Sequence, residues 1–126
     1  MKITKPKPEP PFLSAPLPHN LDAERSILGA VLLDNAALEM AAELLRAEDF
    51  FLDQHARIFI RMLEMSAARQ AIDSVTLMDV LQQHGELESI GGPAYLGNLV
   101  DGVPRVSNVQ HYARIVREKA LLRNVI

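Results

Sequence analysis

Four histidines, sixteen carboxylates and one glycine-spaced segment are the residues of this chain that could carry chemistry, and their spacing gives them little to do. His19, His55, His84 and His111 stand far apart, with neither a His-x-His nor a His-Glu-x-x-His pattern. They read as surface or capping histidines and not as a metal-ligand set. Gly92-Pro93-Ala94-Tyr95-Leu96-Gly97 has the G-x-x-x-x-G spacing of a phosphate cradle, but Asn98-Leu99 follow where Lys and Ser or Thr would be needed. Pro93 also removes an N–H that such a cradle would use, so the segment reads as a helix start. The acid pairs Glu48-Asp49 and Glu86/Glu88 lie on expected turns, with no apolar pocket to raise a carboxyl pKa. There is no cysteine, hence no thiolate site and no disulfide framework. The residues point to binding rather than catalysis.

Length and charge narrow the kind of binding. At 126 residues the chain suits one domain with its own core. Met1-Lys2-Ile3-Thr4-Lys5-Pro6 has no apolar run behind it, so it does not read as a signal peptide. No apolar stretch reaches membrane-spanning length, so a soluble, cytoplasmic protein is expected. The net charge of −3 divides unevenly: residues 1–19 carry three lysines and one glutamate, 20–103 five arginines and fourteen acids, and 104–126 five basic residues and one acid. A compact middle this acidic repels a phosphate backbone. It suits a protein partner, or simply solubility.

The elements that must position these residues read as helices throughout. Residues 1–18 hold six of the eight prolines and are expected to form a disordered, polyproline-leaning leader. Asn20 is a good N-cap, Asp22 and Glu24 suit the positive end of a helix dipole, and the apolar spacing through Leu33 asks for a core on one face. Further helices are expected over Ala36–Leu45, Gln54–Ala68 with Met62 and Met65 as core filler, Asp73–His84 stopped by Gly85, and Pro93–Val100. Phe50 and Phe51 should plug the core between the second and third. A last helix, from about Ser107 to Ile126, is apolar on two sides. Val109, Ala113, Val116 and Ala120 form one stripe; Tyr112, Ile115, Leu122 and Ile126 form another. The uncapped ending reads as a cut inside a helix whose partner helix is missing. The expected fold is all-α: a small orthogonal bundle of about six helices over 19–104, then the first arm of a helical hairpin over 105–126.

A longer pattern runs through the chain. Pro18-His19-Asn20-Leu21-Asp22-Ala23-Glu24, Leu28-Gly29, Leu33-Asp34, Glu48-Asp49-Phe50, His55, Ile58-Phe59, Asp73-x-Val75-Thr76-Leu77, Gly91-Gly92-x-x-Tyr95-Leu96 and Tyr112-Ala113-x-Ile115-Val116-Arg117-Glu118-Lys119-x-Leu121-Leu122-Arg123 come in order. Together they resemble the N-terminal domain of bacterial replicative DNA helicases of the hexameric DnaB type, over residues 17 to 126. The leader before Leu17 matches no such pattern, and Asn124 stands where basic residues are common in the family. The resemblance implies a small helical domain and a hairpin, with neighbouring subunits pairing through hairpins into a collar of three dimers. The collar stacks on the ATPase ring and receives the helicase-binding domain of primase.

What this implies for sites and partners is specific. Tyr95 is similar to a family position that contacts primase; the competing reading is a core tyrosine with its hydroxyl at the rim. Tyr112, Ile115, Arg123 and Ile126 are candidates for hairpin pairing or primase contact, while Glu86 and Glu88 could meet a basic partner. The resemblance implies no cofactor for this segment, with ATP and magnesium used by the full-length helicase. It implies self-association, primase and the helicase loader as partners, and DNA contact through a motor domain beyond this segment. The alternatives from the residues are a helical nucleic-acid-binding module, reading DNA with its basic last helix, and the related C-terminal helicase-binding domain of primase.

Overall fold

A computed structural model describes residues 17–102 and 108–125 of the chain. Six helices occupy them: α1 (Leu21–Leu33), α2 (Ala36–Leu44), α3 (Asp53–Ala67), α4 (Ser74–Gln83), α5 (Gly92–Asp101) and α6 (Val109–Val125). A 3-10 turn at Ala47–Asp49 joins α2 to α3, and the described residues contain no strand. The expected all-α class is what is found, and the expected helix bounds agree to within a residue or two. Ile126, the residues before Leu17 and residues 103–107 lie outside the described part, and with them all but the last two residues of the 1–18 leader and the connector around Pro104.

Local sequence explains the helix ends. Asn20 Oδ1 accepts from the Ala23 amide at 3.0 Å, as expected of that cap. Asp73 accepts from the Thr76 amide while the Asp73 amide donates to the Thr76 hydroxyl, a reciprocal box that fixes the start of α4. Gly85, at φ +67°, ends α4: its amide bonds Gln82 O, and the Glu86 amide bonds Leu81 O at 2.8 Å. That pairing needs a left-handed residue, which glycine adopts without strain. The end of α3 repeats the motif with Arg69 at φ +57°. Arg69→Gly is therefore expected to stabilise the domain by about 1 kcal/mol, read as a raised urea midpoint at unchanged m-value.

α1 is the centre of the bundle. The sequence pattern gave it one apolar face, but Ala23, Glu24 and the whole run Ser26–Leu32 are buried, because α5, α6, α2 and α3 all pack on it. Gly29 lies within this enclosed run. Val109, Ala113, Val116 and Ala120 bury the inner stripe of α6 against α1 and α2, so this half of α6 belongs to the same core. Met62 and Met65 are core, as expected. The two phenylalanines separate: Phe50 is buried against Phe59 with ring centroids 4.9 Å apart, whereas Phe51 reaches the surface. There its ring stacks on His19 at 4.3 Å and lies under the Arg123 guanidinium at 5.4 Å.

Candidate partner-docking surface

The turn into α5 is built by two glycines and one tyrosine. Gly91 holds φ +110° and Gly92 φ +73°, and a Cβ placed on Gly91 would come within 2.8 Å of Tyr95 Cβ. Only glycine lets the chain turn this closely beneath the ring. Tyr95 is half-buried in the first turn of α5, its hydroxyl directed inward to Nε2 of His55.

His55 is the main departure from the sequence reading. Instead of a surface or capping histidine it is fully buried on α3. Its Nδ1 lies 2.8 Å from Oε1 of Glu24, on α1 and 1% exposed. Glu24 also accepts from the Phe51 amide at 2.7 Å and the Leu52 amide at 3.4 Å. This carboxylate therefore holds the opening of α3 as well as sitting in the first turn of α1. The chain Glu24–His55–Tyr95 ties α1, α3 and α5 together, and it meets the rule that buried polar groups are partnered. It has the order of an acid–base relay, but Glu24 and His55 are enclosed on every side and no substrate can reach them. Sequence spacing gave no sign of the set, because 31 and 40 residues separate its members.

Beside this turn, Glu86 accepts from Arg61 Nε at 2.7 Å, and Arg61 also bonds Glu64 at 2.6 Å. The Arg61 hydrogen bond holds the Glu86 carboxyl below the usual carboxylate range, against the opposing effect of partial burial. The guanidinium in turn keeps its proton more firmly, chiefly through Glu86. The unfolded chain, with its ordinary carboxyl, binds a proton more readily. The bridge therefore stabilises the fold above the ordinary carboxylate range and is lost as pH falls through the lowered folded value. Glu86→Gln should cost about 1 kcal/mol near neutral pH. That cost should shrink as pH falls through the lowered folded value, where the parent carboxyl takes up its own proton, and urea midpoints followed from neutral into acid pH measure the loss. Glu88, by contrast, is exposed and forms no ion pair among the described residues.

The candidates on α6 lie elsewhere. Tyr112 and Ile115 are half-buried along the outer stripe, and the exposed Leu121, Leu122 and Val125 follow them. Arg123 turns into the domain, donating to Pro18 O at 2.9 Å and to Asp49 O at 2.5 Å. Arg117 donates to the buried Asp49 carboxylate at 3.1 Å. These two arginines line a cleft of about 460 Å³ with Arg46, Glu48 and Asn124. Two basic charges of α6 are thus directed at the domain's own acid and backbone. Ile126 lies outside the described residues. The candidates form two groups, one on the turn into α5 and one on the outer side of α6, with Arg123 clasping the start of the domain. Among the described residues no cluster of His, Asp or Glu could hold a metal, and no helix is long and apolar enough to cross a membrane.

Comparison with known proteins agrees with this geometry. The family model of the DnaB-like helicase N terminal domain matches residues 16–118. The chain is 46% identical over 109 residues to the replicative DNA helicase DnaB of Geobacillus stearothermophilus, covering 86% of this chain and 24% of that protein. It is 44% identical to that of Treponema pallidum, covering 86% and 25%. The chain thus spans about a quarter of the length of these relatives. The crystal structure of the N-terminal domain of DnaB helicase from Mycobacterium tuberculosis superposes with a TM-score of 0.86 at 38% identity, covering 87% of this chain and 80% of that one. A match this long in sequence, joined to the same helical fold, means that the chain belongs to the DnaB-like helicase N-terminal domain family.

Proposed function

We propose that this domain is the collar of a replicative DNA helicase, acting by assembly and docking rather than by chemistry. The observation that carries the reading is the family match over most of the chain, to a part of the relatives that is only about a quarter of their length. ATP and magnesium use and DNA contact belong, in this reading, to the remaining three quarters, and the parent protein works in the cytoplasm on replicating DNA.

Two surfaces serve the collar. The outer stripe of α6, with Tyr112 and Ile115 half-buried and Leu122 exposed, pairs with a neighbouring subunit, and Ile126, outside the described residues, is a further candidate for that pairing. Apolar side chains exposed together on one helix favour a partner. The turn carrying Tyr95, Glu86 and Glu88 receives the C-terminal domain of primase. Arg123 acts by holding the end of α6 to the domain through Asp49 and Pro18, and the helicase loader is a further partner of the assembled collar.

The test is a titration of the chain with the cognate primase C-terminal domain, with single-stranded DNA as the competing ligand. Saturable binding of primase with no DNA binding supports the reading. DNA binding that weakens steeply with salt, without primase binding, overturns it in favour of a nucleic-acid-binding module.

A further inference from the structure

Three arginines meet at one cleft of a domain whose middle is otherwise acidic. Residues 20–103 hold fourteen acids against five arginines, yet one of these, Arg46, lines the cleft of about 460 Å³ together with Arg117 and Arg123 of α6. Ala120 lines it between the two α6 arginines, and its small side chain leaves the space open. Asp49 is buried in the same cleft, accepting from the Arg46 amide at 2.8 Å and from Arg117 at 3.1 Å. Arg123 is held by two carbonyl oxygens, of Pro18 and Asp49, and pairs with no carboxylate among the described residues. The exposed Arg46 guanidinium only approaches the exposed Glu48, at 3.8 Å. Three positive charges therefore face two negative ones, and one is left over. Donors are left over too. Each guanidinium has five N–H groups, of which Arg117 uses one in hydrogen bonds among the described residues, Arg123 two and Arg46 none.

We propose that this cleft binds the carboxylate of one Glu or Asp side chain, carried on a peptide segment of a protein partner other than the one that docks at the turn into α5. A carboxylate brings the single negative charge that neutralises the cleft, and its two oxygens match the fork of a guanidinium. Arg117 and Arg123 are already held by Asp49 and Pro18, so little side-chain freedom is lost when they bind. The volume suits a whole side chain with the backbone that carries it, and exceeds what a lone small anion needs. A phosphate monoester fits less well, because it carries closer to two charges and would lie above the buried Asp49 carboxylate. A nucleic-acid backbone brings a row of phosphates, which the fourteen acids of the surrounding domain repel. The inference stands whether or not primase docks at Tyr95.

The test follows the arginine Nε–H signals of the chain by NMR during titration at constant ionic strength. The ligands are the capped tripeptide acetyl-Gly-Glu-Gly-amide, its glutamine counterpart, acetate, inorganic phosphate and a short single-stranded oligonucleotide. Saturable shifts of Arg46, Arg117 and Arg123 are expected with the glutamate peptide, and none with the glutamine peptide. Arg46→Gln should weaken the peptide about tenfold, as suits a lost hydrogen bond between charged groups. The Arg46 side chain makes no hydrogen bond among the described residues, so this variant keeps the fold. No saturable shift, or equal shifts with both peptides, overturns the carboxylate site. Unchanged affinity in Arg46→Gln overturns its location in this cleft. Acetate binding as tightly as the peptide overturns the peptide segment in favour of a free carboxylate. Tighter binding of phosphate or of the oligonucleotide overturns the choice of carboxylate.

Discussion

His55→Leu is expected to destabilise the domain by about 3–5 kcal/mol, because it leaves the Glu24 charge buried without its side-chain partner. Leucine fills most of the ring's volume, so the loss comes from polarity more than from a cavity. Domains of this size have about 5–15 kcal/mol in all, so the variant should lie close to its unfolding threshold. Urea unfolding measures it. A second variant separates the causes: Glu24→Gln in the His55→Leu background removes the stranded charge and keeps acceptance from the Phe51 amide through its one carbonyl oxygen, giving up only the longer bond from the Leu52 amide. The double variant should be more stable than His55→Leu alone, by about 1–3 kcal/mol. A double variant no better than the single one would mean that His55 matters only through packing.

Gly91→Ala carries the other large effect. Its backbone at φ +110° is one that alanine rarely adopts, at about 1–3 kcal/mol. The new Cβ would also stand 2.8 Å from Tyr95 Cβ and 3.0 Å from its Cγ, so the ring must shift. A destabilisation of about 3 kcal/mol is expected, together with loss of the hydroxyl's contact with His55. Gly92→Ala is the control. It shares the positive φ but meets nothing nearer than 3.9 Å, so it should cost about 1 kcal/mol and leave Tyr95 in place. Thermal unfolding, with Tyr95 ring NMR signals followed alongside, distinguishes the two variants.

Most of the fold was legible because it is written locally. Asn20, Asp73, Gly85 and Pro93 mark helix ends by mechanisms that act within four residues, and apolar spacing marks what lies between. The inner stripe of α6 was legible for the same reason. Less of the site could be read. A glutamate in the first turn of α1 serves the helix dipole whether or not it is buried, so its pairing with His55 leaves no local mark. α1 is enclosed on several sides because α5 and α6, distant in sequence, close over a face that periodicity alone assigned to solvent. Phe50 and Phe51 look alike in sequence. They are told apart by neighbours distant in sequence: Phe59 packs on the buried ring, while His19 and Arg123 cover the other.

The most direct test of the account maps the primase footprint on this chain by backbone amide NMR shifts. The account predicts that changes gather on residues 86–100, with Glu88 and Tyr95 at their centre, and leave the cleft of Arg46, Arg117 and Arg123 unmoved. A footprint centred on that cleft, or shifts produced by single-stranded DNA and not by primase, would contradict it.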